Sequence, residues 1–355
     1  MADRTLGVGF VGIGKWAGII ARGIEATPGI ETAACYTRTR EKREDFAREF
    51  GCEAVGSYAD LLAHPRVEAV AVLSTTEAHH ELALAAIEAG KHLFIDKPIT
   101  VTIAQGAEIV RRCAEAGLTL QVGYETRCMS GIVHLKRLLD EGKLGQPVAC
   151  EVNWSHDLGM RITPDDWYYY EEKCPGGPLM QMGIHHVNNA SLLMGPVARV
   201  RAMGTRQVIE AEVPDLTGAI LEHESGALTY LGAYYHCPRR WNLDLMCTEA
   251  YASLVLHASQ GDLPEYMRRL LDADAYSELQ ISWRGGGEAE TVDLPRGNVI
   301  EAEMAEFARR VGEGGPSPAD GAAGVESLAV VHAAVESMKS GRAVEMKEFL
   351  AAAGG

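Results

Sequence analysis

Short apolar runs rich in β-forming residues alternate with helical patterns along the first third of the chain. The β-type runs are Leu6–Val11, Thr32–Tyr36, Val67–Leu73, His92–Ile95 and Thr119–Val122. The helical patterns between them include Thr39–Phe50, His80–Ala89 and Ile103–Ala116. Such alternation is typical of a parallel sheet built from βαβ units. The sequence therefore predicts a doubly wound α/β domain over residues 1–124.

The alternation of strand and helix patterns ends after about Tyr124. Two helical patterns, Gly131–Glu141 and Pro178–Met194, are followed by β-type runs joined through short turns such as Glu224–Gly226, with no helix between them. This pattern predicts an α+β domain with a mostly antiparallel sheet over residues 125–355. A chain of 355 residues is long enough for two hydrophobic cores. Helical patterns return near the C-terminus, and these helices are candidates for packing back on the first domain.

Charge and cysteine content exclude several classes of function. The formal net charge is −16, which disfavours broad binding of nucleic acid, because phosphate contacts need clustered Lys and Arg. The eight cysteines form no Cys-x-x-Cys pair, so neither a zinc site nor a disulfide framework is indicated. The N-terminus is polar and no apolar stretch has the length of a membrane span. We therefore expect a soluble, cytoplasmic protein without membrane or nucleic-acid partners.

A glycine motif follows the first predicted strand and opens a helical pattern. Gly12, Gly14 and Ala17 give it the form Gly-x-Gly-x-x-Ala, which in this context indicates a dinucleotide-binding Rossmann domain. Gly12 permits the tight turn, Gly14 allows the backbone to approach a pyrophosphate, and Ala17 allows close packing of helix on sheet. The helix N-terminus offers free N–H groups to the phosphates, with Lys15 beside them. Trp16 either lines the nicotinamide end of the site or packs beneath the helix.

The residues after the second predicted strand indicate which dinucleotide is preferred. NAD enzymes usually place an acidic residue there to bind the ribose 2′-hydroxyl, whereas this chain has Tyr36, Thr37 and Arg38. Arg38 can hold a 2′-phosphate through charge-assisted hydrogen bonds. The sequence therefore favours NADP(H), with NAD(H) as the alternative. In the competing interpretation, Arg38 simply begins a solvated, charge-rich helix.

A lysine and a histidine stand where chemistry is expected. Lys97 follows an apolar strand, and open α/β sheets bind ligands at that edge. Its alternative interpretation is an exposed lysine at a strand end. On the second predicted helix, Gln181, His185 and either Asn188 or Asn189 fall on one face. His185 has the reference pKa of a general base near neutrality, whereas His186 points elsewhere and is interpreted as a packing residue.

The ordered motifs resemble those of one known family. Gly-x-Gly-x-x-Ala is followed by Gly-Lys-His-x-x-x-Asp-Lys-Pro at residues 90–98 and by Gly-Gly-Pro-Leu-x-x-x-Gly-Ile-His-His at residues 176–186. This order is similar to that of the Gfo/Idh/MocA oxidoreductases, named after glucose–fructose oxidoreductase and inositol dehydrogenase. The segment 75–80 stands where that family has Thr-Pro-Asn-x-x-His. The resemblance covers nearly the whole chain.

The resemblance implies a Rossmann domain, a C-terminal domain with a large open sheet, and homodimers or homotetramers formed through that sheet. It also implies that Lys97 and His185 are the catalytic residues. This chain departs from the family pattern in having Asp96 for Glu, and Gln181 and Asn188 for two Asp residues. The predicted cofactor contacts are Gly12, Gly14, Lys15, Trp16, Thr37, Arg38, Thr75, His80, Asp96 and Lys97.

An amide cannot take up a proton near neutral pH, so Gln181 cannot be the base. As a hypothesis, His185 removes a hydroxyl proton while Lys97 stabilises the developing alkoxide. Aromatic side chains near hydrogen-bonding groups suit sugar rings, although most could equally be packing residues. The predicted substrate contacts are Gln181, Tyr124, Arg127, Trp154, Trp167 and Asn188.

The sequence thus predicts an NAD(P)-dependent enzyme acting on a sugar, a cyclitol or a sugar-like glycoside. Other cyclic alcohols, such as dihydrodiols, belong to the same class of substrate. One alternative is redox-assisted cleavage of a glycosidic or C–O bond, which the same fold supports. The other is a non-enzymatic regulator that senses a dinucleotide. Lys97 and His185 argue against the regulator, and Gln181 keeps it open.

Overall fold

The computed structural model describes residues 5–257, 263–315 and 319–353. The polar N-terminus noted above falls largely on residues 1–4, outside these ranges. The chain forms two compact units. The first holds residues 5–125, 300–315 and 319–325, and the second holds residues 126–257, 263–299 and 326–353. The domain boundary between residues 124 and 125 stays a prediction.

Strands and helices alternate over the first part of the chain. They are β1 (Leu6–Val11), α1 (Lys15–Ala26), β2 (Ile30–Tyr36), α2 (Arg40–Phe50), β3 (Glu53–Ala54), α3 (Tyr58–Ala63), β4 (Ala69–Val72), α4 (Thr76–Glu88), β5 (His92–Asp96), α5 (Ile103–Glu115) and β6 (Leu120–Gly123).

The six strands form one sheet in the order β3-β2-β1-β4-β5-β6, and every neighbouring pair is parallel. All residues of β1 and β4 are buried, as expected for strands covered by helices on both faces. The strand order reverses between β1 and β4, and open α/β sheets bind ligands beyond the carboxyl ends of the strands at such a point. The predicted Rossmann domain is confirmed.

Longer strands dominate the rest of the chain. The elements are α6 (Ser130–Asp140), β7 (Pro147–Ser155), α7 (Ile184–Met194), β8 (Val197–Thr205), β9 (Leu216–His223), β10 (Leu228–Tyr234), β11 (Arg240–Cys247), β12 (Ala250–Leu256), α8 (Leu263–Leu271), α9 (Ala273–Tyr276), β13 (Ser277–Trp283), β14 (Glu290–Thr291), α10 (Val299–Glu313), α11 (Gly321–Ser340), β15 (Val344–Glu345) and α12 (Met346–Ala353). Short 3₁₀ segments cover Glu125–Cys128, Leu158–Arg161 and Trp167–Tyr169.

Nine strands form a second sheet in the order β14-β13-β12-β11-β7-β10-β9-β8-β15. Its neighbours are antiparallel except for β7 and β10, which are parallel. The helix α7 packs on β7 and β10, and the opposite face of the sheet carries alternating exposed residues. The predicted large, mostly antiparallel sheet is thus confirmed. The prediction that no helix lies between its strands is wrong, because α8 and α9 stand between β12 and β13.

One predicted helix is divided in the structure. The pattern over 178–194 begins with a π-helical turn, Leu179–Gly183, and α7 starts only at Ile184. None of the helices in the described part of the chain combines the length and apolar character needed to span a membrane.

Candidate active site

The turn between β1 and α1 leaves room for phosphate groups. Gly12 has φ +88°, and a Cβ there would lie 2.4 Å from the backbone nitrogen of Ser74. A Cβ at Gly14 would meet nothing within 4 Å, so the space above Gly14 is open. The first turn of α1 contains no acidic residue, and no side chain caps its N-terminus. The first N–H groups of the helix are therefore available to an anion. These features fit a dinucleotide pyrophosphate.

The side chains of this turn differ in their surroundings. Ala17 is fully buried, which permits close packing of α1 on the sheet, and Lys15 is exposed. Trp16 is half-buried, and its indole Nε1 is buried without a hydrogen-bond partner among the described residues. A buried N–H without a partner is destabilising because it has lost its hydrogen bonds to water. A hydrogen bond to a bound cofactor would remove this cost, so Trp16 stays a candidate cofactor contact.

The end of β2 carries two arginines. Arg38 is exposed, which agrees both with a 2′-phosphate ligand and with the start of a solvated helix. Arg43, in the first turn of α2, donates from Nη1 to the carbonyl oxygen of Thr37 at 3.0 Å. Sequence reasoning missed Arg43, although it lies one helical turn beyond Thr39. The structure thus places two cations beside the turn that follows β2.

The predicted cofactor contact of His80 stays a prediction. His80 turns toward α5, where its Nε2 lies 2.9 Å from Oε2 of Glu108. The neighbouring His79 is buried instead, with its ring nitrogens 3.1 Å from the carbonyl oxygens of Ser74 and Pro98. His79 therefore connects the turn after β4 with the turn after β5. Sequence reasoning gave His79 no role.

Lys97 stands at the carboxyl end of β5. The peptide bond between Lys97 and Pro98 is cis, and the backbone N–H of Lys97 donates to Oδ1 of Asp96 at 2.9 Å. Burial raises the pKa of Asp96, while the charge of Lys97 lowers it. Thr75 is exposed at the N-terminus of α4 and makes no side-chain cap. The predicted contacts Thr75, Asp96 and Lys97 thus follow strands β4 and β5 at the ligand-binding edge of the sheet.

In the second unit, Gln181 lies in the π-helical turn and His185 in the first turn of α7. The hydroxyl of Tyr235 donates to Oε1 of Gln181 at 2.6 Å. Burial raises the pKa of Tyr235 well above its usual value, so this hydroxyl stays protonated and acts as a donor. The ring of Tyr235 stacks on that of His156 at 5.7 Å. Gln181 and Tyr235 therefore form a neutral hydrogen-bonded pair.

An aromatic layer adjoins His185. The ring centroid of Trp154 lies 5.1 Å from that of His185, and its Nε1 donates to the hydroxyl of Tyr266 at 2.9 Å. The guanidinium of Arg239 lies over the Tyr266 ring at 4.6 Å. Burial lowers the pKa of His156 to about 4, so this imidazole is neutral at pH 7. Trp154 thus keeps a position beside the predicted base.

Four predicted substrate contacts have other surroundings. Asn188 is fully buried and donates from Nδ2 to Oγ of Ser327 at 2.8 Å. Arg127 is buried and donates from Nη2 to the carbonyl oxygen of Asn188 at 2.8 Å. These contacts tie both residues into the packing of the second unit, and their predicted contact with substrate stays a prediction. Trp167 is 42% exposed with its ring against Tyr168, and Tyr124 is 1% exposed.

His186 is a packing residue, as predicted from its position on a different face of the helix from His185. It is fully buried, and its ring lies 4.9 Å from Trp241 and 6.3 Å from Trp154, measured between centroids. Neither ring nitrogen has a hydrogen-bond partner among the described residues. Burial lowers its pKa to about 3.

Two family models match the chain. The model described as "Oxidoreductase family, NAD-binding Rossmann fold" matches residues 6–124. The model described as "GFO/IDH/MocA C-terminal domain" matches residues 132–253. Together they cover most of both units.

Full-length relatives show the same affiliation. The 1,5-anhydro-D-fructose reductase of Ensifer adhaerens is 27% identical over 92% of this chain and 94% of its own length. A D-xylose 1-dehydrogenase (NADP(+)) of Haloferax volcanii is 28% identical over 89% and 92%. The myo-inositol 2-dehydrogenase of Thermotoga maritima is 26% identical over 97% and 99%.

Solved structures agree over nearly the whole chain. A candidate NADPH-dependent oxidoreductase of Desulfitobacterium hafniense superposes with a TM-score of 0.92 at 28% identity, covering 98% of this chain and 100% of that one. Levoglucosan dehydrogenase, at 19% identity and a TM-score of 0.85, shares the fold over 97% and 100%. The family models, the relatives of matching length and the open phosphate turn after β1 lead to one conclusion: this chain belongs to the Gfo/Idh/MocA family of NAD(P)-dependent oxidoreductases.

Proposed function

We propose that the protein interconverts a hydroxyl and a carbonyl group on a sugar, a cyclitol or a sugar-like glycoside. The main support is the arrangement of His185, Gln181 and Tyr235. The imidazole of His185 lies one helical turn after Gln181, whose amide forms a neutral hydrogen-bonded pair with the Tyr235 hydroxyl. Trp154 adds an aromatic surface beside it, and aromatic faces with nearby hydrogen-bonding groups suit sugar rings. The names of the relatives, which include a sugar reductase, a sugar dehydrogenase and an inositol dehydrogenase, support this class of substrate.

The proposed chemistry divides between two residues. The dinucleotide, when bound, exchanges a hydride with the carbon that carries the substrate oxygen. His185 removes the hydroxyl proton, and Lys97 stabilises the alkoxide that develops on that oxygen. Gln181 orients the substrate, because an amide held by Tyr235 can donate or accept a hydrogen bond but takes up no proton. The backbone N–H groups at the start of α1 would hold the pyrophosphate.

The identity of the substrate is tested by direct screening. Purified protein is mixed with NADP(H) or NAD(H) and with sugars, cyclitols and aryl glycosides, while the absorbance of the reduced nicotinamide is followed. Net oxidation or reduction of one panel member supports the proposal. Release of an aglycone without net change in NAD(P)H would instead indicate redox-assisted cleavage. Dinucleotide binding without turnover of any panel member would indicate a regulator.

We also propose a preference for NADP(H) over NAD(H), with Arg38 as the 2′-phosphate ligand. Replacement of Arg38 by Ala should weaken NADPH binding about 10- to 100-fold, the loss expected for charge-assisted hydrogen bonds, and leave NADH binding unchanged. Fluorescence titration with both dinucleotides measures the two affinities. Arg40→Ala is the matched control, because Arg40 is paired with Glu44 on the same exposed turn. An unchanged ratio of the two affinities in Arg38→Ala contradicts the assignment.

Self-association through the open face of the second sheet is a further proposal. Ile220 on β9 lies opposite Tyr230 on β10, and both are 43% exposed. Met203 on β8 is 74% exposed on the same face. An exposed apolar surface of this kind is typical of a subunit interface. We propose a homodimer or homotetramer in which a second copy of the chain covers this face.

The double variant Ile220→Lys and Tyr230→Lys should dissociate that assembly, because it places charges at the centre of the interface. Light scattering on a sizing column is expected to give the mass of one chain for the variant and a multiple of it for the wild type. A wild type that elutes as a single chain would refute the proposal.

We also propose that the protein works in the reducing cytoplasm. None of the eight cysteines, all of which lie in the described residues, is part of a disulfide, and this supports the proposal.

A further inference from the structure

Three carboxyl groups of the first unit interact with one another, and two of them, Asp96 and Glu125, also interact with Lys97. Asp96 precedes Lys97 at the end of β5 and is paired with Gly123 of the neighbouring β6. Glu125 follows β6 by two residues. Glu303 belongs to α10, which is tied to β6 by a hydrogen bond from Nε2 of Gln121 to the carbonyl oxygen of Glu303 at 3.2 Å. The fold therefore brings residues that are far apart in sequence to one end of the parallel sheet.

Glu303 is an unpartnered acid. Its side chain is 1% exposed, and neither carboxyl oxygen has a hydrogen-bond partner among the described residues. An ionised carboxylate in such a place is strongly disfavoured. Burial raises the pKa of Glu303 well above its usual value, and the charges of Glu125 and Asp96 raise it further. The backbone N–H of Tyr124 acts in the opposite direction and lowers the pKa, as a smaller effect than burial. Glu303 is therefore neutral at the working pH.

Glu125 changes its charge in the physiological range. It is 3% exposed, and burial raises its pKa to about 7. Lys97 favours the ionised form, whereas Asp96 disfavours it. His79, on α4, faces Asp96 and favours its ionised form. Around Glu125, then, β5 contributes Asp96 and Lys97, and α10 contributes the neutral Glu303.

We infer that Glu125 and Glu303 form a buried carboxyl pair beside Lys97 which holds two protons at acid pH and one proton at alkaline pH. The negative charge that appears at alkaline pH weakens the stabilisation of a substrate alkoxide by Lys97, because the carboxylate repels the developing charge. Glu125 is thus a positioning residue that acts through Lys97, and Glu303 is its protonated neighbour. The inference rests on the proposed role of Lys97 in alcohol oxidation.

The kinetic test uses Glu125→Gln, a neutral side chain of similar size. Because this variant never acquires the negative charge, its kcat should rise relative to that of the wild type by about tenfold between pH 6 and pH 8, the effect of one nearby charge in a medium of intermediate dielectric constant. Glu303→Gln replaces one neutral group by another, so its ratio to wild type should not change with pH. Glu306→Gln, on the exposed side of the same helix, is the control for substitutions in α10.

An infrared titration of the protein alone tests the pair without turnover, because a protonated carboxylic acid absorbs apart from a carboxylate. At pH 8 an acid band is expected in the wild type and in Glu125→Gln, but not in Glu303→Gln. A second band should appear as the pH falls through 7, except in Glu125→Gln. No acid band in the wild type at pH 8, or a kinetic ratio for Glu125→Gln that is independent of pH, overturns the inference. If the wild type oxidises no alcohol, the proposed function is wrong. The infrared titration does not depend on turnover, so it still shows whether the two carboxyl groups are protonated as inferred.

Discussion

Replacement of His185 by Ala is expected to lower kcat about 10²–10⁴-fold, the usual contribution of a general acid or base. Three described side chains of the second unit are unsuited to take over its proton. Gln181 is an amide, the hydroxyl of Tyr235 is kept protonated by burial, and burial lowers the pKa of His156 to about 4. Stopped-flow and steady-state measurements with the substrate found by screening give kcat.

Binding of NAD(P)H should survive the His185→Ala change, because the phosphate turn and Arg38 lie in the other unit of the chain. The matched comparison is Tyr235→Phe, which removes the hydrogen bond to Gln181 but leaves the imidazole in place. This variant should mainly raise KM. A loss in kcat below tenfold for His185→Ala would falsify the assignment of His185 as the base.

Stability at acid pH should depend strongly on His186. The unfolded chain protonates this imidazole below about pH 6.5, whereas the folded protein keeps it neutral until its pKa of about 3. A depressed histidine pKa therefore removes stability as the pH falls from 6.5 toward 3, by about 3 kcal/mol at pH 4. His186→Phe removes this dependence, because phenylalanine takes up no proton and keeps an aromatic ring between Trp154 and Trp241.

Urea unfolding followed by tryptophan fluorescence at pH 7 and pH 4 measures this effect. The free energy of unfolding of His186→Phe, taken relative to wild type, should be higher at pH 4 than at pH 7 by about 3 kcal/mol. His257→Gln is the control, since His257 is exposed on the surface, and it should give no such difference. Equal pH dependence in His186→Phe and wild type would show that His186 is protonated in the folded state.

The overall fold could be predicted because its signals are local. Alternating strand and helix patterns indicate the parallel sheet, and the glycine turn after β1 indicates its ligand edge. The two-residue strand β3 carries too few residues for a periodic pattern and was missed. The π-helical turn Leu179–Gly183 was also missed, because its composition does not differ from that of an ordinary first helical turn.

The site was predicted less completely because its surroundings depend on tertiary contacts. His79 and His80 are adjacent on α4, so a motif match alone did not reveal which ring faces the turn after β5. Arg127 and Asn188 have the polar side chains of a substrate pocket, and the sequence alone did not reveal that they also contact the peptide backbone and Ser327. Glu125 and Glu303 have no sequence signal for their proximity, because only the packing of α10 on β6 brings them together.

The close approach of Gly12 to Ser74 limits how cofactor preference can be altered. A Cβ at Gly12 would lie only 2.4 Å from a backbone nitrogen, so this position cannot be used to change the preference between the two dinucleotides. Arg38 and Thr75 are exposed, so these two predicted cofactor contacts can be substituted without disturbing the packing of the turn. A redesign of the enzyme for NAD(H) should therefore vary Arg38 and Thr75 and keep Gly12.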